Sequence, residues 1–183
     1  MRRVLLASQN SIKFEEVAHI IPGVERLAVE LTEVQATDVR VVVEDKLDQV
    51  ARLGFEEPVI VEDTGLHLEA WNGLPGALVK WFVTDLGVPR FQEIVAASGN
   101  ARARATSAVG VIWGRERCSW TGDLDGRIVE GRGDLGGWTP MFEVADTGRT
   151  LAELPLADRL LWTMRREPLQ HALKWLAERG YQA

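Results

Sequence analysis

The spacing of apolar positions predicts alternating strands and helices in the first half of the chain. Residues 3–7 (RVLLA) form a short apolar run typical of a buried strand. Apolar positions from Ile12 to Ile21 recur at helical spacing, and Pro22-Gly23 ends that pattern. Residues 26–31 (RLAVEL) are a second strand candidate. The apolar positions from Val39 to Leu53 suit a helix ended by Gly54, although the VVV triplet inside them also suits a strand.

The remaining segments complete an α/β pattern. Residues 58–63 (PVIVED) read as a buried strand that ends in two carboxylates, and residues 105–113 and 116–129 read as a pair of strands. Helices are predicted after the Gly/Pro turn within 73–87, over 88–98, and twice between Leu154 and Gly180, with a break near Glu167-Pro168. A glycine-rich loop covers 132–140. The fold class predicted is α/β with a mixed sheet, in a single domain over residues 1–183.

Composition narrows the functional classes. The 183 residues are 46% hydrophobic and 26% charged, an ordinary soluble composition, and no apolar run approaches the length of a membrane span. The net charge of −6 argues against broad nucleic-acid binding, which needs a basic face. One cysteine, Cys118, leaves no internal disulfide and no multi-cysteine metal site. We therefore expect a cytoplasmic protein with no membrane partner.

The stretch SQNSIK after the first strand has two possible roles. Free backbone N–H groups at a helix N-terminus bind anions, and Ser8, Asn10 and Lys13 could add donors and charge for a phosphate. Alternatively, Asn10 or Ser11 only caps the helix and Lys13 is solvated. The residues alone favour the cap.

Three carboxylates fall at predicted strand ends, where open α/β sheets bind ligands. Glu62 and Asp63 are adjacent, so they should point to opposite faces of the sheet. One of them could bind Mg²⁺ or activate water, with Thr64 donating to a phosphate; a simple turn is the other possibility. Glu33 could be a further metal ligand and Lys46 a second cation, although on spacing alone both read as solvated.

The pair VEDTGL and GLPGALVKWF makes the chain resemble the Ham1 / inosine triphosphate pyrophosphatase family, over nearly the whole length. That family hydrolyses nucleoside triphosphates to the monophosphate and pyrophosphate. The resemblance implies a catalytic Asp63 and a metal site for Mg²⁺ at Glu33 and Asp63. The substrate-binding residues that it implies are Ser8, Asn10, Lys13, Lys46, Thr64, Gly137, Trp138, Thr139, Arg159 and Arg165. It also implies an elongated mixed sheet flanked by helices, with a nucleotide cleft between two lobes, and a homodimer.

The chain departs from the family pattern where the base is read. The family's Phe-Gly-Trp/Tyr-Asp-Pro is here GGWTP (136–140), and its Ser-His-Arg is here TMR (163–165). Thr139 and Met164 therefore stand where an aspartate and a histidine help to read a 6-oxopurine. Each lost base contact is worth on the order of 1–3 kcal/mol, enough to redirect selectivity. Hydrolysis of ITP, dITP and XTP, hydrolysis of another or modified nucleotide, and nucleotide binding without catalysis all stay open.

Overall fold

The computed structural model describes residues 3–182 and contains one seven-stranded mixed sheet with helices on both faces. The strands are β1 (Val4–Leu6), β2 (Val24–Arg26), β3 (Val59–Leu68), β4 (Pro75–Gly76), β5 (Arg102–Trp113), β6 (Glu116–Ile128) and β7 (Phe142–Val144). The helices are α1 (Ser11–Ile20), α2 (Val39–Leu53), α3 (Val79–Leu86), α4 (Val88–Ala97), α5 (Leu156–Trp162) and α6 (Arg166–Glu178). The predicted α/β class with a mixed sheet is confirmed.

Strand β3 is the centre of the sheet. The order is β2-β1-β3-β5-β6-β7, with β4 pairing the far end of β3. β1 runs parallel to β2 and β3, whereas β3, β5 and β6 are antiparallel along their full lengths. Helix α2 packs Val39, Val43, Leu47 and Val50 on one face of this sheet, and α1 and α6 cover the other face. A third apolar cluster, which includes Phe91 and Phe142, fills the end of the sheet beneath α3 and α4. None of the helices within residues 3–182 is both long and apolar enough to cross a membrane.

Helix α2 shows why the VVV triplet is helical. Its buried positions Val39, Val42, Val43, Lys46, Leu47 and Val50 follow a spacing of three and four residues. Asp38 caps the first turn by accepting from the Arg40 N–H, and Gly54 ends the helix at φ 71°, in the left-handed region. Caps at both ends and a continuous apolar stripe outweigh the β preference of three valines.

Two strand predictions were wrong in their bounds. The strand predicted at 26–31 lies at Val24–Arg26, and the chain then leaves the sheet as an irregular segment, residues 27–38, which we call the strap. The strand predicted to end at Asp63 continues to Leu68, so Glu62 and Asp63 lie in its interior. It continues because each carboxylate is neutralised by a cation in the interior, and because β5 pairs with it over all ten residues.

The C-terminal helices are divided at residues 163–165 rather than near Glu167-Pro168. Pro168 lies in the first turn of α6, where a proline loses no hydrogen bond of the helix. The break therefore places Thr163, Met164 and Arg165 between two helices, against the middle of the sheet.

Candidate functional site

Two neighbouring carboxylates on β3 are both buried and face opposite sides of the sheet. Glu62 is 2% exposed and Asp63 is 7% exposed. They pair in register with Val109 and Ala108 of β5, which belong to the clusters under α6 and α2 respectively. Each carboxylate therefore contacts different cations, and the pKa values of the two carboxylates are shifted in opposite directions.

On the α2 face, Asp63 shares a lysine with the strap. Lys46 Nζ lies 3.1 Å from Asp63 Oδ1 and 2.9 Å from Glu33 Oε1, and Lys80 Nζ lies 3.8 Å from Glu33 Oε2. Burial would lower the pKa of Lys46, but the charges of Asp63 and Glu33 outweigh it and raise that pKa. Burial raises the pKa of Asp63, and the charge of Glu62 adds to the effect, against the pull of Lys13 and Lys46. Asp63 is thus the more basic of the two neighbouring carboxylates.

The same arrangement fits a divalent cation. Glu33 and Asp63 come from separate segments, yet both place an oxygen about one hydrogen-bond length from a single cationic atom, Lys46 Nζ. Carboxylate oxygens are the protein ligands that Mg²⁺ prefers, and one or two of them suffice when substrate phosphates and water complete the shell. Within residues 3–182, no group of three or more His, Cys, Asp or Glu side chains is placed to hold a metal ion, and the two carboxylates that meet at Lys46 are those of Glu33 and Asp63.

On the opposite face, Glu62 is held by four side chains. Lys13 Nζ lies 2.6 Å from its Oε2, while Oε1 accepts hydrogen bonds from Thr64, Ser107 and Arg165. Burial alone would raise the pKa of Glu62, but the charges of Arg165 and Lys13 outweigh it and hold that pKa well below its usual range. Glu62 therefore remains ionised and positions Lys13.

The SQNSIK turn forms the helix cap that the residues favoured. Asn10 Oδ1 accepts from the backbone N–H groups of Ile12 and Lys13 at 2.9 and 3.2 Å, and Ser8 Oγ accepts from the Asn10 N–H. The cap does not separate this turn from the charged cluster, because Lys13 reaches Glu62 from the first turn of α1. A capped helix N-terminus and a lysine beside the acidic pair are therefore parts of one site.

The two arginines predicted to bind substrate, Arg159 and Arg165, both donate to the buried carboxylate of Glu16. Arg159 Nε donates to Glu16 Oε1 at 2.8 Å, and Arg165 Nη1 donates to Glu16 Oε2 at 3.0 Å. Thr163 donates to the same Oε2 at 2.7 Å. Arg159 is 4% exposed and Arg165 6% exposed, and Arg165 also reaches Glu62 and Thr64. Arg165 thus links the Glu16 cluster to the β3 carboxylates.

The residues at the predicted base-reading positions either pack into the apolar core or hydrogen-bond within their own turn. Trp138 is 9% exposed and packs edge-on against Phe142, with 5.5 Å between the ring centres. Met164 is 3% exposed and belongs to the same cluster. Thr139 donates its hydroxyl to the Gly136 carbonyl within its own turn, and Gly137 adopts φ 70° there. Of the predicted base-reading groups, Trp138 and Met164 thus belong to the core.

Sequence reasoning missed three contributors to this site. Glu16 lies four residues after Ile12 and four residues before Ile20, within the apolar stripe of α1. A charged residue at such a position indicates a buried ion pair. Lys80 was visible as the lysine of GLPGALVKWF. Ser107, fully buried and bonded to Glu62, gave no signal, because only the β3–β5 register brings the two together.

The chain matches the model of the Ham1 family over residues 4–175. Among curated relatives, it is 37% identical over 176 residues to the inosine triphosphate pyrophosphatase of Chaetomium globosum, covering 92% of this chain and 90% of the relative. It is 34% identical over 182 residues to the inosine triphosphate pyrophosphatase of Fusarium vanettenii, covering 96% and 97%.

Solved structures share the fold at lower identity. The Staphylococcus aureus Ham1 protein superposes with a TM-score of 0.80 at 20% identity, covering 97% of this chain and all of that one. A HAM1 protein from Coxiella burnetii gives a TM-score of 0.78 at 22% identity, covering 97% of this chain and all of that one. The mixed sheet and its flanking helices are therefore the fold of these proteins.

Proposed function

The chain belongs to the Ham1 family, and we propose that it hydrolyses nonstandard purine nucleoside triphosphates (ITP, dITP and XTP) to the monophosphate and pyrophosphate. The observation that carries the proposal is the position of Lys46 between Glu33 and Asp63, with Lys13 on the neighbouring carboxylate. A triphosphate needs cations for its oxygens, and its hydrolysis needs a carboxylate to orient and deprotonate water. Both kinds of group are present within one cluster.

The cations bind and position the phosphates. Lys13 and Lys46 hold fixed positions because Glu62, Glu33 and Asp63 neutralise them in the absence of substrate. Ser8, Asn10 and Thr64 supply polar groups beside them. Positioning and charge stabilisation account for most of the rate enhancement in phosphoryl transfer. Lys13 and Lys46 are therefore the groups of this site that contribute most to catalysis.

Asp63 is the general base. In the metal-free protein, burial and the charge of Glu62 raise the pKa of Asp63 above that of an exposed aspartate. Asp63 takes a proton from the attacking water, the water oxygen bonds to the α-phosphorus, and the bond to the bridging oxygen between the α- and β-phosphates breaks. Pyrophosphate then leaves with the bonding electron pair. Glu62 cannot take this role, because its oxygens are already occupied by Lys13, Arg165 and two hydroxyls.

Mg²⁺ is the cofactor we propose, held by Glu33 and Asp63. When bound, the ion supplies positive charge to the phosphate oxygens. With Glu33 and Asp63 holding the ion, Lys46 would no longer be needed as their counter-ion and could contact a phosphate.

The groups expected to contact the base support a second candidate function, hydrolysis of a different or modified nucleotide. Thr139 is engaged with Gly136, and Met164 presents no hydrogen-bond donor. Trp138, beside Gly137, would stack on the base only after leaving its contact with Phe142. Arg159 and Arg165 would reach the base or a phosphate only by exchanging partners with Glu16. These features favour broader selectivity, or a different or modified base, over strict reading of a 6-oxopurine.

The assembly and location that we propose are a homodimer in the cytoplasm. Support comes from the family resemblance and from an ordinary soluble composition with one cysteine.

The test of the reaction is product identification. With Mg²⁺ and ITP, anion-exchange chromatography should give IMP and pyrophosphate in equal amounts. Formation of IDP and orthophosphate would contradict the proposed bond cleavage, and tight nucleotide binding without products would indicate a binding protein.

A further inference from the structure

The strap, residues 27–38, carries Glu33 but contains no regular secondary structure. Its first residue is fixed by the Leu27 N–H, which donates to the Leu6 carbonyl at 2.9 Å. Its far end is fixed where Ala77 N–H donates to the Thr37 carbonyl at 2.9 Å. Gly76 allows that approach, because a Cβ built there would lie 2.1 Å from the Thr37 oxygen. The nine residues between these anchors have to be held by something else.

One side chain holds the middle of the strap. Gln49 Oε1 accepts from the Thr32 N–H at 2.9 Å and from the Thr32 hydroxyl at 3.1 Å, and Gln49 Nε2 donates to the Thr32 carbonyl at 2.7 Å. Within residues 3–182, no other main-chain group from Glu30 to Ala36 makes a hydrogen bond to the protein. Leu31 packs on the cluster under α2, but an apolar contact does not set the rotation of the backbone beside it.

The carboxamide of Gln49 can point in only one direction. The Thr32 N–H can only donate and its carbonyl can only accept, so the amide oxygen and nitrogen must face them in that order. Asp45, one turn earlier on α2, accepts the second proton of Nε2 at 2.7 Å and fixes the same orientation. Every hydrogen-bonding group on the side chain is therefore matched to a partner.

This contact is placed to control Glu33. Thr32 is the residue before Glu33, and Gln49 lies three residues after Lys46, on the neighbouring turn of the same helix. The helix thus holds the strap backbone through Gln49 and the Glu33 carboxylate through Lys46. If the Thr32 peptide rotated, Glu33 would leave the position that it shares with Asp63 around Lys46.

We infer that Gln49 is a positioning residue: its carboxamide clamps the Thr32 peptide and thereby holds Glu33 in place for the divalent cation. The inference rests on the proposed function for the role of Glu33, whereas the clamp itself concerns the substrate-free protein. Removing a residue that orients a metal ligand typically changes metal affinity or activity by 10- to 100-fold. Gln49 itself touches neither Glu33 nor Asp63 in the described structure.

The test compares Gln49→Met, which has a similar length and no hydrogen-bonding group, with Gln49→Glu and with Arg52→Met on the exposed face of α2. In hydrogen–deuterium exchange of the substrate-free proteins, the amide to follow is that of Thr32, the only main-chain N–H from Glu30 to Ala36 with a hydrogen-bond partner among residues 3–182. It should exchange faster in Gln49→Met, with unchanged exchange in the core of α2. Gln49→Glu replaces the donor with a carboxylate oxygen that faces the Thr32 carbonyl and the Asp45 carboxylate, so its exchange should also be faster than that of wild type. Arg52→Met should match wild type.

The second readout is the Mg²⁺ concentration needed for half-maximal turnover. We expect it to rise about 10-fold in Gln49→Met, with a nearly unchanged KM for the nucleotide at saturating Mg²⁺. Unchanged exchange in residues 30–36, or faster exchange throughout the protein, would overturn the inference. Faster exchange in the strap with an unchanged Mg²⁺ requirement would overturn the positioning role. A wild-type protein without turnover would defeat the proposed function, and the exchange experiment would still decide the clamp.

Discussion

Glu62 and Asp63 are consecutive on β3, yet their carboxylates lie on opposite faces of the sheet and have opposite pKa shifts. Arg165 and Lys13 stabilise the charge of Glu62, whereas burial and the charge of Glu62 disfavour the charge of Asp63. The fold thus accepts an unfavourable carboxylate at the position assigned to the general base. Strained or electrostatically unfavourable groups are common at functional sites.

Substitutions of the two neighbouring carboxylates should therefore affect different properties: catalytic activity for Asp63 and stability for Glu62. Asp63→Asn should lower kcat by about 10²- to 10⁴-fold, the usual contribution of a general base, without lowering the melting temperature. Glu62→Gln should cost about 3 kcal/mol of unfolding free energy, because it leaves Lys13 and the buried Arg165 less well neutralised. Steady-state kinetics and urea unfolding of the two variants check this. A marked loss of stability in Asp63→Asn would contradict the assignment.

The lowered pKa of Glu62 implies that the stability of the protein depends on pH in the acidic range. A carboxylate whose pKa is lower in the folded state stabilises the fold above its unfolded value of about 4.5, and that contribution is lost as the pH falls towards the folded value. The stability difference between wild type and Glu62→Gln should therefore be full at pH 7 and shrink steadily below about pH 4.5. Urea unfolding at pH 7, 5, 4 and 3 measures it. A difference that grows on acidification would show that another group carries the effect.

Glu15 and Glu16 offer a matched pair on one helix. Both accept from Arg159, but the Glu15 side chain is 49% exposed and that of Glu16 is 2% exposed. Glu16→Ala should destabilise the protein by about 3–5 kcal/mol, because Arg159, Arg165 and Thr163 lose a shared buried acceptor. Glu15→Ala should cost no more than about 1 kcal/mol, as exposed ion pairs do. Equal losses would contradict the role of Glu16 as the anchor of both arginines.

Base selectivity should be recoverable by restoring the family residues. Thr139→Asp with Met164→His should raise the kcat/KM ratio of ITP to ATP by about 10-fold or more, since each restored base contact is worth on the order of 1–3 kcal/mol. The ratio is measured on the double variant, with the single variants as controls. If selectivity stays the same while the double variant remains folded, these positions do not read the base.

Local patterns were sufficient for much of the fold. Helix α2, with its caps and apolar stripe, and the strands around the turn at Gly114 could be predicted because the periodicity of each is set by neighbours in sequence. The end of the second strand could not, because Leu27 to Leu31 alternates like a strand, whereas β1 ends at Leu6 and pairs with β2 through residues 24–26 only. Local sequence carries no record of which edge is available.

The motifs indicated candidate site residues, but the sequence did not show which of these residues contact one another. Lys46 read as solvated from spacing, and it is buried because two carboxylates distant in sequence converge on it. Arg159 and Arg165 were assigned to substrate, whereas a single glutamate on α1 holds both of them. Such long-range pairings become visible only once the chain is folded.

The most direct test of the central claim is pyrophosphate release with Mg²⁺ from ITP, dITP, XTP, ATP, GTP, CTP, UTP and dTTP, for wild type and for Asp63→Asn. We expect wild type to hydrolyse the nonstandard purine nucleotides and to show some activity on other bases, because Thr139 and Met164 read the base weakly. Asp63→Asn should lose at least about 100-fold in activity. Absence of pyrophosphate release from every nucleotide, or full activity in Asp63→Asn, would contradict it.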